Sequence, residues 1–280
     1  MINYSLEGKR VGALESRMAG QLGDLIRKRG AEVMSAPALR EAPVDCLEMV
    51  GELIDGISDG EFQVVVAQTG VGVSTLFREA AKLGREAELL TGLRRVVCIA
   101  RGPKPVAALR KAGILTPVKV SSPYTTDELL ETLGEFDLLA YGVALINYGE
   151  RNEGLSEALL SACANLYELC LYEWMLPEDT EPLESLIRAV LKRELDAVAF
   201  TSQAQVKHLF KIAEQRGLAS VLSATMNSTV IAAVGPTCAK ALINYGVTPD
   251  VVPDPPKMGH MVSDLAEYFS GNYLITRGKR

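Results

Sequence analysis

The sequence predicts an α/β protein: two similar doubly wound parallel-sheet lobes joined by two extended crossover segments, with the N-terminal strand and helix completing the C-terminal lobe. Three observations predict it. Six short apolar runs, at 10–14, 63–67, 95–100, 143–147, 197–201 and 230–234, read as strands buried on both faces. Helical patterns follow most of them and stop at a glycine, the residue that most readily adopts the left-handed conformation past a helix end. One stretch of the chain also repeats itself at a fixed offset. Strand, turn and helix recurring in this way build a parallel sheet covered by helices.

The elements run in order as follows. Strand 10–14 precedes helix 18–29, which ends before Gly30. Strand 63–67 passes through Gln68-Thr69-Gly70-Val71-Gly72 into helix 73–83, before Gly84. Strand 95–100 passes through Arg101-Gly102-Pro103-Lys104 into helix 105–112, before Gly113. Strand 143–147 and the helix after it read as extra to the repeat. Strand 197–201 passes through Thr201-Ser202-Gln203 into helix 205–216, before Gly217. Strand 230–234 passes through Gly235-Pro236-Thr237-Cys238 into helix 238–245, before Gly246.

The repeat pairs Val64-Val65-Val66-Ala67-Gln68-Thr69 with Ala197-Val198-Ala199-Phe200-Thr201-Ser202, and Gly102-Pro103 with Gly235-Pro236. Val73 to Val206 and Gly102 to Gly235 share one offset of 133 (206 − 73 and 235 − 102). Two copies make a pair of lobes and not a solenoid. Proline-bearing stretches at 35–43 and 171–182 suit extended crossings. The expected lobes are therefore 1–38 plus 176–280, and 39–175.

Composition limits the function. A net charge of −6 excludes a general nucleic-acid or membrane-surface role, both of which want a basic face. No apolar run approaches the roughly 18–20 residues a membrane span needs. The first residues lack the basic and apolar regions of a signal peptide, so a cytoplasmic protein is expected. Five cysteines, with no CxxC pair, read as free thiols in a reducing compartment. Two histidines and no HExxH leave nothing for a dedicated zinc site, and no metal is expected.

Ligands of doubly wound sheets lie beyond the carboxyl ends of the strands. Four loops of the repeats belong there: Thr69-Gly70-Val71-Gly72 with Gln68 before it, Arg101-Gly102-Pro103-Lys104, Thr201-Ser202-Gln203 and Gly235-Pro236-Thr237-Cys238. Each opens a helix, and helix starts offer N–H groups to anions without needing lysines. The alternative is a set of ordinary tight turns with capping Thr and Ser. Gly70-Val71-Gly72 lacks the third glycine of a dinucleotide fingerprint, since Thr75 stands there, and no GxxxxGK[ST] occurs. Arg17 and Arg101 follow strands and suit bidentate binding of carboxylates, or are solvated surface groups. Lys104 opens a helix against the dipole, which hints at a ligand contact. Tyr172 reads either as packing or as a hydroxyl donor. His208 reads as a surface group, and His260, after Gly259 near the last helix, as a group that could face a ligand.

These segments resemble uroporphyrinogen-III synthase over most of the chain, roughly 11–269. Phe200-Thr201-Ser202-Gln203 is similar to the family's Phe-Thr-Ser-Pro, and Val234-Gly235-Pro236-Thr237-Cys238-Ala239 to its Ile/Val-Gly-Pro-Thr-Thr-Ala. Thr69-Gly70-Val71-Gly72-Val73, Ala100-Arg101-Gly102-Pro103-Lys104, Tyr148-Gly149-Glu150 and the segment from Tyr172 to Pro177-Glu178-Asp179 match a bacterial branch. Where the family often carries threonines, this chain has Pro105 and Cys238, which removes two hydroxyls.

The resemblance implies two lobes facing a cleft and a reaction that needs no cofactor. Hydroxymethylbilane, a linear tetrapyrrole with eight carboxylates, loses water and closes with ring D inverted. The resemblance also implies that Tyr172 acts as the acid at the leaving hydroxyl. It adds Tyr148 and Gly149 to the substrate-binding set formed by the four loops, Arg17 and Gly259. The expected partner is this small molecule alone, without nucleic acid or membrane, and the expected state is a monomer. A two-lobed protein that binds small anions or tetrapyrroles without catalysis remains the alternative.

Overall fold

A computed structural model describes residues 4–147 and 149–273. The chain divides into two compact units, Met1–Arg40 with Met175–Arg280, and Glu41–Trp174. In chain order the first unit begins with β1 (Arg10–Ala13), α1 (Ala19–Arg27) and β2 (Glu32–Ser35). The chain then runs through β3 (Arg40–Pro43), α2 (Leu47–Ser58), β4 (Val64–Ala67), α3 (Gly70–Lys82), α4 (Glu86–Leu93), β5 (Val97–Ala100) and α5 (Pro103–Lys111). There follow β6 (Val118–Lys119), α6 (Thr126–Leu133), a 3-10 turn (Leu138–Ala140), β7 (Gly142–Ile146), α7 (Glu153–Ala162), β8 (Asn165–Leu169) and β9 (Tyr172–Met175). The first unit resumes with α8 (Glu181–Leu191), β10 (Ala197–Phe200), α9 (Gln203–Gln215), α10 (Ala219–Met226), β11 (Val230–Ala233), α11 (Pro236–Asn244) and α12 (Met258–Phe269).

The class expected from the sequence, α/β with parallel sheets, is what the structure has. The second unit holds a sheet in the order β6-β5-β4-β7-β8, parallel throughout. β4 lies at its centre because Val64-Val65-Val66-Ala67 is apolar on both faces. Alternate side chains enter different cores: Val65 and Ala67 pack with Leu53, Leu76 and Leu109, and Val64 and Val66 with Leu129, Leu155 and Leu159. Helices therefore cover both faces.

The first unit holds β11-β10-β1-β2, also parallel, and one further parallel bridge pairs Ala232 with Val251. Its two faces are closed by different helices in the same way. Val198 and Phe200 pack with Leu186, Leu209 and Leu242, and Ala197 and Ala199 with Leu22, Ile26 and Leu265. β3 and β9 form a separate two-stranded sheet.

The sheet orders account for the strand that read as extra to the contiguous repeat. The repeated segments place β4 opposite β10 and β5 opposite β11. β7-α7-β8 then occupies the sheet position that β1-α1-β2 holds in the first unit. The counterpart of strand 143–147 is therefore β1, the N-terminal strand that pairs with β10.

Helix starts also differ. The structure begins α3, α5, α9 and α11 two or three residues earlier than the periodicity does. The early residues are stable in helices for local reasons. Thr69 and Ser202 are N-caps whose side chains accept from the Gly72 and Gln205 N–H groups. Pro103 and Pro236 open α5 and α11, where their missing N–H has no helical partner to lose.

Candidate active site

In the second unit the strand ends build a compact polar edge. β4 ends into Gln68 and Thr69, β5 into Arg101, and β7 into Asn147. Thr69 Oγ1 accepts from the Gly72 N–H at 3.0 Å and lies 3.0 Å from the Tyr172 hydroxyl. One threonine therefore caps α3 and holds the tyrosine brought in by β9. Tyr172 is only 2% exposed, inside the core formed by α2, α3 and β8, with Trp174 edge-on at 5.5 Å. Its hydroxyl is thus seated at the head of α3 rather than projecting into solvent.

The glycines of this edge answer to close packing. A Cβ on Gly70 would stand 3.0 Å from the Lys104 carbonyl oxygen, where α3 passes α5. A Cβ on Gly72 would meet Ile146 at 2.9 Å, and one on Gly149 the Trp174 indole at 2.4 Å. Gly102 caps α5 at φ 101°, a conformation that suits glycine, and lies under the Tyr124 ring. Tyr124 itself has φ 64°, uncommon for a residue with a side chain. These contacts give the Gly-x-Gly a reason in close packing, on α5 for Gly70 and on β7 for Gly72.

Arg101 is half-buried, and its Nη1 donates to Gln68 Oε1 at 2.9 Å. Gln68 Nε2 donates to Asn147 Oδ1 at 3.2 Å, and Asn147 Nδ2 donates to Glu168 at 3.0 Å. Glu168 also accepts from Ser156 at 2.7 Å and from Arg151 at 3.0 Å. Burial alone raises the Glu168 carboxyl, but the hydrogen bonds from Arg151, Ser156 and Asn147 outweigh it and leave it below the usual carboxylate range. Lys104, in the first turn of α5, is exposed.

The first unit places the other expected residues at its own carboxyl strand edge. Ser202 caps α9, and Thr201 hydrogen-bonds both the Gln205 side chain and Glu15. Glu15 further accepts from Gln205 Nε2 at 3.2 Å and from the Met18 N–H at 3.1 Å. A carboxylate at this edge is a feature the sequence reading missed, and it opposes an anion at that spot. Gln203 is half-buried and Arg17 is exposed. Gly235 is extended, and a Cβ there would stand 2.8 Å from Pro256. Pro236 and Thr237 are exposed in the first turn of α11, while Gly259 and His260 are exposed in the first turn of α12. His208 is half-buried with Nδ1 at 2.8 Å from the Ala38 carbonyl, not a bare surface group. Tyr148 lies outside the described residues.

Cys238 offers the edge only its backbone. Its thiol is 2% exposed in the first unit's core, and burial pushes its pKa up to about 12. Native protein treated with iodoacetamide at pH 8 is therefore expected to leave Cys238 unmodified until it is denatured, as read by peptide mass spectrometry. Rapid labelling in the native state would place the thiol at the surface. All five cysteines are free thiols.

Gln68 opens a loop already identified, and Asn147, which sequence reasoning did not single out, ends a strand already identified, so that position was its available signal. Glu168, Ser156 and Tyr124 gave none, because only tertiary structure brings them to the edge. Among the described residues no group of three His, Cys, Asp or Glu side chains comes together as a metal site, and no helix is long and apolar enough to cross a membrane.

The arrangement can cap anionic groups with first-turn N–H donors and Arg101, and can offer one buried hydroxyl pair as a proton source. Known proteins of the same kind exist. The chain is 31% identical over 265 residues to the uncharacterized protein YjjA of Bacillus subtilis, covering 94% of this chain and 97% of that one. It is 30% identical over 247 residues to a putative uroporphyrinogen-III synthase of Methanothermobacter thermautotrophicus, covering 87% of this chain and 91% of that one. A crystal structure of a mutant uroporphyrinogen III synthase from the extremely thermophilic bacterium Thermus thermophilus superposes with a TM-score of 0.76 at 27% identity, covering 94% of this chain and all of that one. The family model described as uroporphyrinogen-III synthase HemD matches residues 20–263. A match of that extent leaves little of the chain unaccounted for: the protein belongs to the uroporphyrinogen-III synthase family.

Proposed function

We propose that the chain is a working uroporphyrinogen-III synthase, which dehydrates hydroxymethylbilane, inverts ring D and closes the macrocycle. The family serves tetrapyrrole biosynthesis, porphyrins and haem included. The observation that carries the reading to this chain is the edge of the second unit, where Tyr172 meets Thr69 at the start of α3 and Arg101 precedes the start of α5.

The chemistry sets modest demands on side chains. The C–O bond of the hydroxymethyl group breaks as its oxygen takes a proton, and water leaves. The pyrrole nitrogen shares the resulting positive charge, so the substrate drives much of this step. Attack by the already substituted α-carbon of ring D forms one C–C bond. The bond from that carbon to its old methylene bridge breaks and passes the positive charge to that methylene. Ring D's other α-carbon then bonds to it and loses its proton, which restores the balance. The demanding task is geometric, because ring closure without inversion competes. The protein must bias the folding of a flexible chain, which is a positioning effect. Arg101, Lys104 and the N–H groups at the starts of α3 and α5 hold carboxylates, and Tyr172, backed by Thr69, supplies the proton. The free thiols favour a reducing compartment, the cytoplasm.

The test is to mix purified protein with fresh hydroxymethylbilane, oxidise the product and separate the porphyrin isomers. A dominant type III isomer is expected. Type I alone, formed no faster than without protein, would sink the enzyme reading and leave a tetrapyrrole-binding protein. Tyr172→Phe is expected to lower kcat by about 10²-fold, since a general acid supplies roughly 10²–10⁴-fold. The variant should still make type III, and should lose about 1 kcal/mol of stability with its hydrogen bond. A folded but wholly inactive variant, or one making type I, would remove Tyr172 from this role.

A further inference from the structure

We infer that Gln68 is a positioning residue, holding the Arg101 guanidinium at the sheet edge through a hydrogen-bond chain whose direction is set at both ends. The chain reads Arg101, Gln68, Asn147, Glu168. Arg101 can only donate, and an ionised Glu168 can only accept. Two amides lie between, each with one donor end and one acceptor end. Only one arrangement satisfies every contact: each carbonyl faces Arg101 and each NH2 faces Glu168. Turning either amide over would set two donors, or two acceptors, against each other.

The links are buried. Gln68 and Asn147 are each 3% exposed, and Ser156, which also donates to Glu168, is fully buried. A mispaired amide there would find little water to relieve it. The parallel register makes the chain possible. Ala67 of β4 lies beside Ile146 of β7, so the next residues, Gln68 and Asn147, meet where both strands end. An arginine side chain has much rotamer freedom to lose, and fixing it before the ligand arrives lowers the cost of binding. The gain falls on binding and not on bond breaking.

The inference rests on reading Arg101 as a carboxylate-binding group. Its test uses full-length Gln68→Met, Asn147→Leu and Arg101→Ala, with the double variants and a melting curve for each. With hydroxymethylbilane, Gln68→Met is expected to raise KM about tenfold with kcat within about twofold of wild type. Asn147→Leu, one link further away, should raise KM less. Neither should raise it further in the Arg101→Ala background, because the arginine through which they act is gone. An unchanged KM in Gln68→Met, or the same increase with and without Arg101, overturns the inference. If Gln68→Met does not fold, Gln68→Asn replaces it with the same expectation, since the shorter amide cannot reach Arg101. If wild type makes no type III isomer, the synthase reading fails on that result alone. The same cycle is then read as Kd for uroporphyrin by fluorescence quenching. The same non-additivity supports the inference, while additivity or no binding at all overturns it.

Discussion

Gly142→Ala is expected to cost about 3–5 kcal/mol, at the upper end of what overpacking does, and to lower the melting temperature on the order of 10 °C. Gly142 opens β7. A Cβ there would stand 1.8 Å from the Glu61 carbonyl oxygen, and that atom is backbone, so no side-chain rotation relieves the clash. The neighbours are themselves committed. The Gly142 N–H donates to Gln63 Oε1 at 2.8 Å, and its carbonyl accepts from the Gln63 N–H at 3.0 Å. Moving β7 away would loosen these bonds and shift Asn147 at the far end of the same strand. Thermal melting of the variant decides the matter: a curve within about 2 °C of wild type would mean that β7 and the 61–63 segment are not this close.

The second large effect is expected at Gly149. Its φ of +62° is left-handed, which costs a residue with a Cβ about 1–2 kcal/mol. The added methyl would also stand 2.4 Å from the Trp174 indole. Trp174 donates its backbone N–H to the Gly149 carbonyl at 3.2 Å and sits edge-on to Tyr172. Gly149→Ala should therefore destabilise by about 2–4 kcal/mol and displace the ring against which Tyr172 is set. A displacement near 1 Å at a reacting group costs on the order of 10²-fold, so kcat on hydroxymethylbilane should fall far more than it would from lost stability alone. A variant that melts lower but turns over like wild type would separate this glycine from the candidate site and leave it a structural residue.

The six apolar runs became β1, β4, β5, β7, β10 and β11, each within two residues of its expected bounds. They were readable because a strand buried on both faces must be apolar at every position, which no exposed segment needs. Helix ends were readable for an equally local reason: Gly30, Gly84, Gly113, Gly217 and Gly246 all have positive φ, and each closes a helix. Three other strands, at sheet edges, were not readable. Glu32–Ser35, Val118–Lys119 and Asn165–Leu169 are short or mixed in polarity, and become strands because a neighbour pairs with them.

The candidate site divides along the same line. The sequence alone determined the parallel α/β class, the loops that end its strands and the resemblance carried by those loops, because each is a property of contiguous residues. Tertiary structure decided what those loops do. It set Tyr172 against Thr69, 103 positions away, and turned Cys238 into the core. It also joined Arg101, Gln68, Asn147 and Glu168 into one buried chain of hydrogen bonds. Such contacts depend on strand order and register, which arise from the joint packing of segments far apart in sequence, and no local pattern encodes them.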